Sequence, residues 1–176
     1  GIDAIQIGAT YYQLNGDGGA VYVDNFSVRV DRSLPKIYIQ NTNVVHGDTG
    51  LVDIMLEGSF QPMSAIDLSF SGFYGILDFI EIVADESSLM GQLGWMIVSN
   101  NTEDGLITAA VGTENISETG KLFSLKIAVN DDLESQYVPI DIFHFQGNEN
   151  MSDYTTQLGG LQVVWGPESG FASNNV

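Results

Sequence analysis

The sequence has no cysteine and very few basic residues, and both shortages limit what the protein can be. Without cysteine it has neither a disulfide framework nor a thiolate metal site. Five lysine and arginine residues stand against 23 aspartate and glutamate residues, which gives a formal net charge of −18. A surface this acidic repels nucleic acids and anionic membranes, so we expect neither of them as a partner.

Long hydrophobic runs are also missing. Gly, Ser, Asp or Glu interrupts each apolar stretch well before the roughly 18 residues that a membrane helix needs, so we expect no membrane insertion. The start, Gly1-Ile2-Asp3, has neither a basic segment nor an apolar one, so we expect any export signal to have been removed or to lie upstream. The 44% of hydrophobic residues nevertheless suffices for one folded core in a chain of 176 residues.

Residues that could support catalysis are scarce. The chain has only two histidines, and a Ser–His–Asp triad would need one of them. His46 lies in a turn signal and His144 in a predicted strand between two phenylalanines, so we assign both a structural role. No zinc-protease, nucleophile-elbow or phosphate-loop motif occurs. We therefore predict that the protein is not an enzyme and has no catalytic residue.

The acidic residues that cluster in predicted loops are candidates for calcium binding, because calcium takes hard oxygen ligands. Neither of two candidate sets has the spacing of an EF-hand, and we expect no cofactor to be required, with calcium as the one candidate. The first set lies in the first predicted hairpin and the second in a late loop: Asn15, Asp17 and Asp24, and Asp131, Asp132 and Glu134.

Apolar residues alternate with polar ones along most of the chain, which is the pattern of strands with one buried face. The clearest examples are residues 66–70 and 123–129, and only 85–93 could hold a turn or two of helix. About nine short strands separated by turn residues predict an all-β fold, an antiparallel β-sandwich of jelly-roll type. The other predicted strands are 37–45, 51–57, 76–83, 95–99, 105–111, 137–145 and 160–165.

The beginning of the chain differs from the rest and predicts a separate N-terminal two-stranded arm, residues 1–32. Ala4–Thr10 and Ala20–Val30 would be its strands. The sandwich would then occupy 33–165 and a polar tail 166–176. A lone hairpin is marginal in water, so we expect the arm to pack against another copy or an upstream domain rather than its own sandwich. Its predicted interaction residues are Ile5, Ile7, Tyr22, Phe26, Val28 and Val30.

From Lys36 to about Met151 the order of features resembles a cohesin domain. An opening strand leads to the turn Gly47-Asp48-Thr49 and the strand Leu51–Leu56, and Thr119–Ile127 resembles the family's most recognisable strand. The corner at 71–77 departs from the family pattern, because its Asp-Pro is missing. The resemblance implies a cohesin-like sandwich that binds a dockerin-like protein module through one sheet face, on or outside the cell.

The segment Gly18–Val28 resembles the last strand of concanavalin-like and carbohydrate-binding jelly rolls, and Ile5–Gly8 resembles the strand before it. This second resemblance implies that the arm is the remnant of an upstream jelly roll, or that its strands complete a sheet elsewhere.

Three functions are therefore open. The first is an extracellular or cell-surface module for protein–protein assembly. The second is a self-polymerising filament subunit whose arm donates strands to the next copy. The third is a carbohydrate-binding module that carries Tyr11, Tyr12 and a tryptophan on its surface, although Trp95 has the surroundings of a core residue. The Asn-x-Ser/Thr acceptors are candidates for glycosylation in a source that glycosylates exported proteins: Asn25, Asn100, Asn115 and Asn150.

If the acidic loops bind calcium, millimolar calcium should raise the melting temperature relative to excess EDTA, because a ligand that binds only the native state stabilises it. Differential scanning calorimetry of the same preparation in both buffers tests this, with magnesium as the control for a general effect of ionic strength. Equal melting temperatures would show that calcium does not stabilise the fold.

Overall fold

The computed structural model describes residues 34–72, 75–103, 105–130, 135–149 and 154–164. All of them belong to one unit, Arg32–Val176. The predicted arm and the predicted polar tail lie outside the described residues. The described part is an all-β sandwich of two sheets with one short helix, as predicted. It contains no helix that is long and apolar enough to span a bilayer.

Eleven strands and one helix make up the described part. They are β1 (Lys36–Ile39), β2 (Thr42–Val45), β3 (Thr49–Glu57), β4 (Met63–Ser71), β5 (Leu77–Val83), α1 (Leu89–Gln92), β6 (Met96–Thr102), β7 (Gly105–Ile116), β8 (Gly120–Val129), β9 (Tyr137–Gly147), β10 (Thr155–Gln157) and β11 (Gly159–Val164).

The five-stranded sheet has the order β10-β1-β3-β8-β5, and the six-stranded sheet has the order β2-β11-β9-β4-β7-β6. Most neighbours are antiparallel, but β1 pairs with β10 and β2 with β11 in parallel. The predicted antiparallel sandwich is thus confirmed, with two parallel pairs and with eleven described strands where about nine were expected. Residues 37–45 and 155–164 each supply two strands, because the chain leaves one sheet and enters the other along them, and the last predicted strand, 160–165, corresponds to β11 alone.

The two crossings lie side by side and hold one lateral side of the sandwich closed. Asn41, between β1 and β2, accepts hydrogen bonds at Oδ1 from the Gly160 N–H (3.1 Å) and the Tyr137 hydroxyl (3.2 Å). A Cβ on Gly159 would lie 2.0 Å from the carbonyl oxygen of Ile39, so the close approach of the two crossings requires glycine there. On the other lateral side β5 and β6 are the edge strands of their sheets.

Strand β8 lies between β3 and β5, and the predicted alternation along it is confirmed. Phe123, Leu125, Ile127 and Val129 are all buried against the opposite sheet. The ring of Phe123 meets that of Phe70 on β4 edge to face, with the ring centroids 6.4 Å apart. This contact joins the middles of the two sheets, so β8 is central to the core.

The connection from β5 to β6 contains α1, which packs against β7 and β8. The hydroxyl of Ser88 caps the helix by accepting from the Gly91 N–H (3.2 Å) and donates to the Asp85 carbonyl (2.8 Å). The hydroxyl and N–H of Ser87 donate to the Asp85 carboxylate, and these bonds hold the pKa of Asp85 below its ordinary value. Met90 is buried, so the helix closes one end of this lateral side.

Replacing Leu125 by alanine should lower the free energy of unfolding by roughly 2–5 kcal/mol, because the side chain is fully buried at the centre of the core. The matched control is Leu51→Ala on the neighbouring strand β3, where the leucine is 46% exposed and the loss should stay within about 0.5 kcal/mol. Urea unfolding followed by tryptophan fluorescence measures both. If both variants lost the same free energy of unfolding, the prediction that β8 lies at the centre of the core would be wrong.

Candidate functional site

The outer face of the five-stranded sheet is covered with paired charges. Surface pairs of this kind contribute only about 0–1 kcal/mol each, so this face is a solvated one. All three lysines of the chain take part, in the pairs Lys36–Glu57 (3.8 Å), Lys121–Asp53 (3.9 Å) and Lys126–Glu81 (2.8 Å).

Tyr38 belongs to the same charged face. Its hydroxyl donates a hydrogen bond to Glu57 Oε1 at 2.7 Å, and this bond raises the pKa of Tyr38 above its ordinary value. The ammonium group of Lys36 lies 4.6 Å from the centre of the Tyr38 ring. The aromatic ring is thus already covered by a cation within the chain.

The outer face of the six-stranded sheet has a different chemistry, because large apolar side chains are exposed on it. We call this set of side chains the apolar face, and each of them exposes about half of its surface or more. Its members are Met96 (68%), Val98 (59%), Val111 (53%), Phe143 (52%) and Ile107 (48%).

The register of β6 and β7 brings most of the apolar face together. Met96 lies opposite Val111, Val98 opposite Ala109, and Asn100 opposite Ile107. The intervening residue Ile97 has the opposite orientation and packs against the core. The β6–β7 hairpin therefore presents two adjacent rows of mostly apolar side chains to solvent.

A β-bulge on β9 adds Phe143 to this face. His144 lies opposite Ser69 and Ile142 opposite Phe70, so that Phe143 is an extra residue in the pairing of β4 with β9. Ile142 and Phe145 are buried, whereas Phe143 and His144 are both exposed. The bulge thus turns two consecutive side chains outward.

One carboxylate lies near the middle of the outer face. Asp67 on β4 is opposite Ala109 on β7 and Gln146 on β9. It is exposed, and within the described part of the chain its carboxylate has no hydrogen-bond or ion-pair partner. A negative charge between Ala109 and Gln146 that has no ion pair of its own among the described residues favours a partner that supplies a cation or hydrogen-bond donor at this point.

A concave feature, which we call the lateral cleft, lies between the edge strands β5 and β6 and has a volume of about 420 Å³. Trp95 forms part of its lining and is buried, with its Nε1 donating to the Glu114 carbonyl at 2.9 Å. Gly112 leaves room for the indole, because a Cβ there would lie 2.2 Å from Nε1. The cleft exposes more polar than apolar surface, although most of the other lining residues have apolar side chains: Phe79, Ile80, Ile82, Ala84 and Ile97, with Glu81 and Ser99.

The calcium candidates Asn15, Asp17, Asp24, Asp131, Asp132 and Glu134 all lie outside the described residues, and so do the arm residues Ile5, Ile7, Tyr22, Phe26, Val28 and Val30. Among the described residues no group of three His, Asp or Glu side chains could hold a metal ion. The glycosylation candidates Asn25 and Asn150 also lie outside, whereas Asn100 and Asn115 are exposed.

The tryptophan expected in the core is there. Trp95 is only 7% exposed, so its ring cannot stack on a sugar. Tyr154, partly buried, packs edge-on against Phe145 with the ring centroids 5.3 Å apart. Neither ring belongs to an exposed aromatic platform, and the other aromatic candidates for such a platform, Tyr11, Tyr12 and Trp165, lie outside the described residues.

Sequence reasoning missed the apolar face, although a signal for it was present. Residues 95–98 and 106–111 are apolar at almost every position instead of alternating. In an antiparallel sheet with one solvated face, consecutive apolar residues place some of them in water. Such runs therefore indicate an exposed apolar patch as well as a core.

In sequence comparisons, no protein-family model and no curated protein matches the chain. In structure, it is similar to the seventh ScaB type I cohesin from Pseudobacteroides cellulosolvens, with a TM-score of 0.62 and 14% identity over 78% of this chain and 96% of that one. A chain of a type I cohesin–dockerin complex from Clostridium thermocellum matches with a TM-score of 0.62 and 18% identity, over 74% of this chain and 99% of that one.

A third similar structure comes from an archaeon. The non-cellulosomal cohesin from Archaeoglobus fulgidus matches with a TM-score of 0.55 and 15% identity, over 74% of this chain and 91% of that one. Each match spans nearly the whole of the other chain, so the likeness extends over the complete sandwich. The described sandwich therefore has the fold of a cohesin domain, as its order of sequence features predicted.

Proposed function

We propose that the sandwich is a non-catalytic assembly module that binds a dockerin-like protein module through the apolar face. The observation that carries this proposal is the exposure of five large apolar side chains on one side of a single sheet. Contiguous apolar patches on a soluble domain mark interaction sites, because leaving them in water is unfavourable.

The energetics of the apolar face suit a protein partner. Fully burying a side chain of this size contributes about 1.5–3 kcal/mol, so a partner that covers several of them gains enough to offset the cost of association. Met96, Val98 and Ile107 lie on paired strands of a six-stranded sheet, so the surface is already ordered before binding. A preformed surface loses little conformational entropy when the partner docks.

The cohesin fold supports the choice of partner class. One of the similar structures is a type I cohesin–dockerin complex, and another is the sixth cohesin of scaffoldin B from Acetivibrio cellulolyticus in complex with a dockerin. The second matches with a TM-score of 0.61 and 16% identity. An extracellular or cell-surface setting is part of the same proposal, and the likeness to cohesins of scaffoldins supports it.

Charge adds a second requirement for the partner. The chain has a net charge of −18, and all three of its lysines lie on the other sheet's outer face, where they pair with acids. The Asp67 carboxylate has no partner of its own among the described residues. The partner surface should therefore be apolar at its centre and carry a lysine or arginine that meets Asp67.

Replacing Val98 by glutamate should weaken dockerin binding by about 100-fold, because it places a charge in the middle of the apolar face. Isothermal titration against a panel of purified type I dockerins measures the effect. The matched control is Leu51→Glu, at a leucine of similar exposure on the charged face of the other sheet. Equal affinity of both variants would show that the apolar face is not the binding surface, and binding of no dockerin in the panel would contradict the partner class.

Replacing Asp67 by asparagine should reduce the affinity for the same dockerin by about tenfold and make it less dependent on salt, because the ion pair with the partner is lost. The measurement is the dissociation constant at low and at high sodium chloride. The control is Asp78→Asn, an exposed acid on β5 of the other sheet. If the affinity of Asp67→Asn depended on salt as strongly as that of the wild type, the partner would have no cation at this position.

A further inference from the structure

The lateral side of the sandwich that carries β5 and β6 is open, and it has no role in the function proposed above. Both are edge strands among the described residues, so each has one row of backbone N–H and C=O groups without a neighbouring strand in that part of the chain. The lateral cleft lies between them and leads to partly buried apolar side chains, among them Phe79, Ile82 and Ile97. This arrangement suits an extended apolar segment.

The two edges are protected to different degrees. Strand β5 carries the acids Asp78 and Glu81 and a bulge, in which Ile80 is the extra residue opposite β8. Bulges and charges are the usual means by which proteins block the addition of another strand. Strand β6, Met96–Thr102, has no charged residue, no proline and no bulge in its pairing with β7. Its edge is therefore open to strand addition.

We propose that the lateral cleft accepts a strand donated by a second copy of this chain, and that the donor is the segment Ala20–Val30. The alternation of this segment suits a cleft that combines apolar side chains with the polar backbone of an edge strand, because the side chains on one side of a strand point the same way. The predicted donor face, which only Asp24 interrupts, consists of Ala20, Tyr22, Phe26, Val28 and Val30.

Charge favours this donor. The segment contains one acid, Asp24, and one base, Arg29, so its net charge is +1 − 1 = 0, whereas the whole chain carries −18. A neutral segment approaches an acidic body without the repulsion that two sandwiches would feel face to face.

Chain length favours donation between copies. A strand added beyond β6 would lie four strand spacings from β9, the strand of that sheet that contacts β1, which is roughly 19 Å at about 4.8 Å per spacing. Val30 precedes Leu34, just before β1, by four residues, which span at most about 14 Å when fully extended. A donor segment that ends at Val30 therefore reaches the cleft of another copy more readily than its own.

Such a contact joins two different surfaces of the chain, the donor segment and the lateral cleft. A heterologous contact that does not close on itself repeats head to tail and produces linear assemblies. The apolar face stays free in such an assembly, because Val98 and Ile97 point to opposite sides of β6. Each copy in the chain could then still hold its own protein partner.

The test is sedimentation velocity of the complete chain across a range of concentrations, without any dockerin present. The wild type should form oligomers, and Ile80→Asp should raise the midpoint concentration of assembly by roughly tenfold or more, because it places a charge in the cleft. Ile80 is 44% exposed, so the substitution should leave the melting temperature nearly unchanged. Leu51→Glu, an exposed residue on the other face, is the control that should assemble like the wild type.

Mixing two variants separates donor from acceptor. Phe26→Asp lacks a functional donor and Ile80→Asp lacks a functional acceptor, so each should be monomeric alone. A mixture should yield one-to-one dimers, because the intact donor of the second enters the intact cleft of the first. A monomeric wild type at all concentrations, assembly of Ile80→Asp like the wild type, or failure of the two variants to combine would each overturn the proposal.

Discussion

The arrangement of the sandwich depends on the two crossings of the chain from one sheet to the other. They are held together by Asn41, which bonds to Gly160 and Tyr137, and by the absence of a side chain at Gly159. Because both crossings lie on the same lateral side, that side is closed by covalent chain. The opposite side is closed only in part, by α1, so the sandwich formed by the described residues has one closed lateral side and one open one.

The outer faces of the two sheets also differ from each other. Lysines and their acidic partners cover one sheet, whereas the other presents the apolar face around Asp67. Strand β6 contributes to both accessible surfaces, since Val98 belongs to the apolar face and Ile97 to the lateral cleft. The alternation of side chains along a strand thus keeps two recognition surfaces separate although they share one element.

The core was largely predictable from sequence because it rests on local periodicity, as the buried side of β8 shows. The crossings were not, because the bonds of Asn41 join residues 119 and 96 positions apart and no local pattern indicates them. The apolar face was missed for a related reason. Met96 and Val98 look like core residues in sequence, and only the register with β7 shows that they face solvent. The same runs of apolar residues contribute side chains both to the core and to the exposed apolar face.

The position of Asn100 has a practical consequence for the production of this protein. It is exposed on β6 opposite Ile107, in the acceptor sequence Asn-Asn-Thr, so it lies within the surface that carries the apolar face. If Asn100 is glycosylated, as its acceptor sequence predicts, a bulky, hydrated oligosaccharide would lie beside Ile107. Material from a host that attaches N-linked sugars would then have this surface shielded, whereas material from a host without that machinery would have it bare. In that case the choice of expression host decides whether this side of the sandwich is accessible in the purified protein.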